Sequence, residues 1–144
     1  MLFSQYGDTK SPLTGLTLSS TGNTSVELMN ADGSAQHTIF HQAGFSAFDA
    51  VWSPRGDEVT LSVGRYFRSP GPPPGQVALM KPDGSDFRLV VDDSMNNGFP
   101  SWSPDGTRLV FKRGHQLVIM SLANRKIVPL TDGAHFDNFP QWSP

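Results

Sequence analysis

The sequence repeats itself, and the repeat constrains the fold more than any other feature. Phe48 to Pro54 reads FDAVWSP, Phe99 to Gly106 reads FPSWSPDG, and Phe139 to Pro144 reads FPQWSP. The tryptophans stand at 52, 102 and 142, intervals of 50 and 40. A second series keeps step with them: VELMNADGS from Val26, VALMKPDGS from Val77 and LVIMSLANR from Leu117. The ten-residue excess of the first interval falls on 65–75, RYFRSPGPPPG, a proline-rich insert between two strand-like runs. Without it the period is 40.

A period of about 40 to 45 residues built from short strands predicts an all-β fold, a β-propeller with one four-stranded blade per repeat. Local patterning agrees. Glu58 to Val63 alternates polar and apolar residues, with Val59, Leu61 and Val63 on one side, and Leu109 and Phe111 hold the matching places one repeat later. Between the Trp run and that strand lies Ser103-Pro104-Asp105-Gly106. There Pro104 presets φ, Asp105 bonds nearby backbone and Gly106 accepts positive φ. Ser53-Pro54-Arg55-Gly56 is its counterpart, with Arg55 in place of Asp, and Asp32-Gly33 and Asp83-Gly84 supply the turn between the third and fourth strands. Fourteen Gly and twelve Pro in 144 residues suit a chain of frequent turns.

The resulting layout treats 1–144 as one partial propeller. A worn blade at about 11–40 supplies strands b to d, with Ser11-Pro12 in place of WSP and Leu16 and Leu18 at the strand-b positions. A full blade spans 48–91 with the insert 65–75. A second spans 99–131, with strand a at 99–103, b at 107–112, c at 116–121 and d at 126–131. A terminal strand a occupies 139–144.

The pattern FPxWSPDGxxLxF, followed by a strand, a DG turn and Leu-Thr, resembles the TolB-like propeller repeat, a WD-like repeat family. The resemblance covers roughly 11–144. It implies a propeller, commonly six-bladed, that binds other proteins, or the non-catalytic, substrate-gating propeller of tricorn-like and prolyl-oligopeptidase-like peptidases. It identifies a fold more than a function. It also implies a periplasmic setting, whereas the lack of a signal peptide makes the cytoplasm the default.

Strands b-c-d, two sets of a-b-c-d and a final a amount to about three blades, fewer than a closed propeller needs. Such an arc leaves apolar end faces in water. Two readings follow: half of a six-bladed ring completed by self-association or a protein partner, or a fragment of a larger propeller.

Trp52, Trp102 and Trp142, one per repeat, are expected to pack between blades. Trp102→Ala should therefore be strongly destabilising. The polar residues just before each strand a, Asn96 and Asn97, then His135, Asp137 and Asn138, with Asp49 in the corresponding region, form the candidate binding site, since innermost strands line a propeller's channel. On that reading Asn97→Ala and Asp137→Ala should leave folding nearly intact.

Other functions lack support. A net charge of −2 without single-sign blocks excludes a nucleic-acid footprint. No run of about 18 apolar residues offers membrane insertion. The chain has no cysteine, and His37 and His41 are four apart outside any helical pattern, so neither a metal nor another cofactor is expected. GxSxG, HExxH, GxxxxGK and GxGxxG are all absent, which argues against an enzyme.

Overall fold

The structure, a computed structural model, describes residues 2–6, 24–43, 45–64 and 74–143. Every regular element among them is a β-strand, gathered into three antiparallel sheets. The first contains β1 (Leu2–Tyr6), β2 (Thr24–Leu28) and β3 (His37–His41) in that spatial order. The second contains β4 (Ser46–Trp52), β5 (Val59–Gly64), β6 (Gln76–Met80) and β7 (Arg88–Leu89). The third contains β8 (Asn97–Trp102), β9 (Arg108–Arg113), β10 (Gln116–Ser121) and β11 (Ile127–Pro129). Consecutive strands are neighbours in the second and third sheets, the a-b-c-d meander of a propeller blade.

The turns form for the reasons their residues suggest. Ser103 N–H donates to Arg108 O at 2.9 Å and Gly106 N–H to Ser103 O at 2.8 Å, with Gly106 at φ +68°. The Ser103 hydroxyl donates to Asp105 Oδ1 at 2.5 Å and accepts Arg108 N–H at 2.9 Å. Asp105 also receives Thr107 N–H, and these contacts, the Ser103 hydroxyl foremost, hold its carboxyl down at about 2. Where Arg55 replaces that aspartate, Asp57 takes the Ser53 hydroxyl instead, at 2.7 Å.

Alternation then sends side chains to two cores, one between each pair of sheets. Val26, Val59, Leu61, Val63, Ala78 and Met80 fill the space between the first and second. Val77, Leu79, Leu109, Phe111, Val118 and Met120 fill that between the second and third, together with Trp102, which is 6% exposed. Trp52 packs against the first core, half-buried. Both tryptophans thus lie between blades.

Two elements depart from the expected layout. The strand beside β2 is β1, in register from Leu2 opposite Leu28 to Tyr6 opposite Thr24. β3 pairs with the other edge of β2, and the expected strand-b positions Leu16 and Leu18 lie outside the described residues, as does 65–73 of the insert. Of the expected terminal strand at 139–144, the described residues 139–143 are not a strand, since no sheet partner stands beside them among the described residues.

Candidate binding surface

The second and third sheets begin with the same irregularity, and the terminal segment repeats it. Asp49, Phe99 and Phe139, all three residues before a tryptophan, have φ of +52°, +57° and +53°. In β4 and β8 the register with the next strand shifts across this point, the mark of a β-bulge. The bulge turns neighbouring aromatic rings toward one another from sheet to sheet: Phe48 and Phe99 centroids are 5.9 Å apart, Phe99 and Phe139 4.4 Å. Both are tilted pairs within the favourable range. The terminal segment repeats the backbone contacts of β8: Asp137 N–H donates to His115 O as Asn97 N–H donates to Gly75 O. Trp142 N–H reaches Ser101 Oγ at 3.4 Å, and the Arg108 guanidinium lies 5.4 Å from the Trp142 ring centroid.

The polar residues anticipated from the sequence fall into different settings. Asn97 is 1% exposed. Its Nδ2 donates to Gln76 Oε1 at 3.0 Å, Asp93 Oδ1 at 2.9 Å and Met95 O at 3.2 Å. Gln76 Nε2 donates to Asp93 O at 2.7 Å, and Arg113 grips Asp93 Oδ2 through Nε and Nη2 at 3.1 and 2.9 Å. Burial raises the Asp93 carboxyl, but Asn97, the Met95 N–H and Arg113 outweigh it and hold the group below its ordinary range. This network locks the loop before β8 onto β6 and β9. It corrects the expectation that Asn97 is dispensable for folding. Asn96 is likewise engaged, its Oδ1 accepting Gly75 N–H at 3.0 Å. Gln76, Asp93 and Arg113 carry no repeat motif and were not anticipated.

Asp49 stands apart from these residues in the bulge of β4. Burial pushes its carboxyl up to about 6, and Oδ2 is buried with no hydrogen-bond partner. His135 is exposed, and Asp137 and Asn138 are half-buried on the terminal segment. The hydrogen bonds just described join Asn96 and Asn97 to β6 and its flank but do not draw all six residues into one cluster. Among the described residues no three His, Cys, Asp or Glu side chains gather into a metal-holding group.

The largest apolar exposure lies instead on the outer face of the third sheet. Register aligns Val110, Ile119 and Val128 in one row across that face. Lys112 and Leu117 form the next row, and Leu130 N–H donates to Leu117 O. Lys112 is buried, which lowers its ammonium pKa, and its Nζ lies 4.6 Å from the Phe136 ring centroid. Val128, Leu130, Phe136 and Phe139 are 49%, 54%, 63% and 69% exposed. Sequence patterning anticipates an uncovered end face, and this is one.

The fold has clear relatives among solved structures. TolB from Acinetobacter baumannii superposes with a TM-score of 0.62 at 18% identity, over 76% of this chain and 27% of that one. Putative TolB from Agrobacterium tumefaciens gives 0.63 at 17% identity, over 75% and 41%. An oligogalacturonate lyase in complex with manganese gives 0.54 at 17% identity, over 74% and 28%. The chain therefore spans about a quarter to two-fifths of the length of these structures. No family model and no curated protein matches it. With three bladelike sheets, a Trp-anchored repeat and these structural relatives, the chain has the TolB-like β-propeller fold, as an incomplete propeller.

Proposed function

We propose that the chain acts as a non-enzymatic propeller scaffold that binds another protein, as a fragment or half of a larger propeller. The observation that carries this reading is the outer side of the third sheet, where Val128 and Leu130 lie open on and just after its last strand and Phe136 and Phe139 on the segment that follows. Apolar exposure on this scale marks interaction surfaces. The polar groups of the region support a scaffold as well, because Asn97, Gln76, Asp93 and Arg113 are engaged with one another. The resemblance to TolB supports a periplasmic setting, which cell fractionation would check.

The test is a photo-crosslinking amino acid placed at Leu130 and, as control, at exposed Arg125 on the turn before β11. The scaffold reading expects one discrete protein adduct from the first site and none from the second. Equal, diffuse labelling at both would refute it.

A further inference from the structure

We propose that the partner on the third sheet is a protein segment that brings one carboxylate, an Asp or Glu with apolar neighbours, to the ammonium of Lys112. The inference deepens the scaffold reading and rests on it.

Lys112 is a departure from the repeat. Its counterpart in the second sheet is Ser62 of β5, each standing ten residues after its repeat tryptophan. Ser62 is 0% exposed, and its hydroxyl accepts Phe99 N–H at 2.9 Å from the first strand of the next sheet. A serine at this place closes one backbone hydrogen bond between sheets and leaves no charge behind. A lysine ammonium donates but cannot accept, so in β9 it cannot do the same work. Nor does it serve the core. Leu109 and Phe111 enter the core between the second and third sheets, and alternation turns Val110 and Lys112 to the outer side.

The ammonium on that side has no counter-ion. Lys112 is 5% exposed, and among the described residues the ion pairs are those of Arg55 with Asp57, Arg88 with Glu58 and Asp86, and Arg113 with Asp93. The contrast with Arg113 is instructive. One residue further along β9, that guanidinium is met by Asp93 from the loop before β8, whereas Lys112 Nζ has the Phe136 ring, 4.6 Å away at its centroid. The same ring leans on His115 at 4.8 Å. A ring face returns only part of the hydration that a cation loses on burial, and burial accordingly lowers the ammonium pKa.

A cation in this state discriminates between partners. Much of its water has already been removed by folding, so a carboxylate that reaches it gains attraction in a poorly solvated setting, while an apolar or cationic group leaves it unpaired or repels it. The surroundings fix the rest of the partner's chemistry. Leu117 lies opposite Lys112 in β10, Leu130 N–H donates to Leu117 O, and Val128, Leu130 and Phe136 are exposed, so the residues beside the acid are apolar. One acid suffices, because the neighbouring Arg113 is already paired with Asp93.

The test selects a random peptide library against the chain and follows the selected peptides with a photo-crosslinking amino acid at Leu130. The selected peptides should share an Asp or Glu at one position between apolar residues. Lys112→Met keeps a long unbranched side chain and removes the charge. Replacing the peptide's acid by its amide should weaken binding to the parent chain by about tenfold or more, and to Lys112→Met by less than about twofold. The urea midpoint of Lys112→Met should be no lower than the parent's, since the variant loses an unpaired cation. A clearly lower midpoint would make Lys112 a packing residue and overturn the assignment. Peptides selected without an acid, or an acid whose removal costs the same on both chains, overturn it as well. If such peptides still crosslink at Leu130, the scaffold reading stands and only the carboxylate falls. A library that yields no peptide crosslinking at Leu130 removes both.

Discussion

Asp49→Asn isolates one physical term in this fold. Asp49 sits in the left-handed region at φ +52°, which Asn adopts as readily as Asp, so the exchange leaves the bulge backbone alone. What it removes is a carboxylate whose Oδ2 is buried and without a hydrogen-bond partner, and whose pKa burial has pushed up to about 6 from 3.8. The sign follows from proton linkage. Below 3.8 the group is protonated both folded and unfolded, and stability is untouched. Between 3.8 and about 6 the folded chain keeps a proton that the unfolded chain has released, so stability falls as pH rises. Above 6 the full cost of the buried charge is present. A shift of about two pKa steps is worth about 3 kcal/mol in full burial, and the group's partial exposure reduces this to about 1–2 kcal/mol. Urea unfolding at pH 4, 5, 6, 7 and 8 measures it. Asp49→Asn should match the parent chain near pH 4 and exceed it by about 1–2 kcal/mol at pH 7 to 8, with the difference opening between 4 and 6. The other carboxylates are common to both proteins and cancel in the difference. A variant less stable than its parent at pH 7, or a difference that does not change with pH, would refute the burial argument.

Three further substitutions probe the packing. Trp102→Ala, at a side chain enclosed between the second and third sheets, should cost about 3–5 kcal/mol in chemical denaturation. Asn97→Ala should cost about 1–3 kcal/mol, because it leaves Gln76 and Asp93 without a buried donor, and restoring the urea midpoint with Asn97→Asp would argue against that donor role. Gly84→Ala should destabilise by well over 1 kcal/mol, since Gly84 has φ +82° and its missing Cβ would collide with Ile39 O of the first sheet. Gly33→Ala, in the same turn of the first sheet with open space around it, should cost only about 1 kcal/mol, and equal losses at the two glycines would remove the steric part of the argument.

How much of this was legible in the sequence depends on whether a contact is local. The WSPDG turn is local, and Ser103, Asp105 and Gly106 make the bonds their side chains and φ preferences suggest. Alternation over Val59, Leu61 and Val63 likewise identified a buried face without reference to its partner. Leu2–Tyr6 was missed because it carries no repeat motif, and its pairing with β2 spans a long connection that leaves no periodic trace. The motif comparison also paired Phe48 with Phe99, both opening their segments, whereas the bulge aligns Asp49 with Phe99 because backbone register is counted from the tryptophan. Asn97 reads as a loop residue in isolation. Its role depends on Gln76 and Asp93, brought to it by sheet packing, and no spacing rule announces that.

If the outer face of the third sheet is a binding surface rather than part of the chain's own core, charge can be placed on it without loss of the fold. The double substitution Val128→Asp with Leu130→Asp, at two exposed positions, tests this through the unfolding midpoint and through association with another protein, read by a photo-crosslinking amino acid at exposed Phe136. The expected result is a fold stability within about 1 kcal/mol of the parent, at two surface sites, together with loss of association. Cooperative folding with association intact would contradict it, and so would loss of the fold itself.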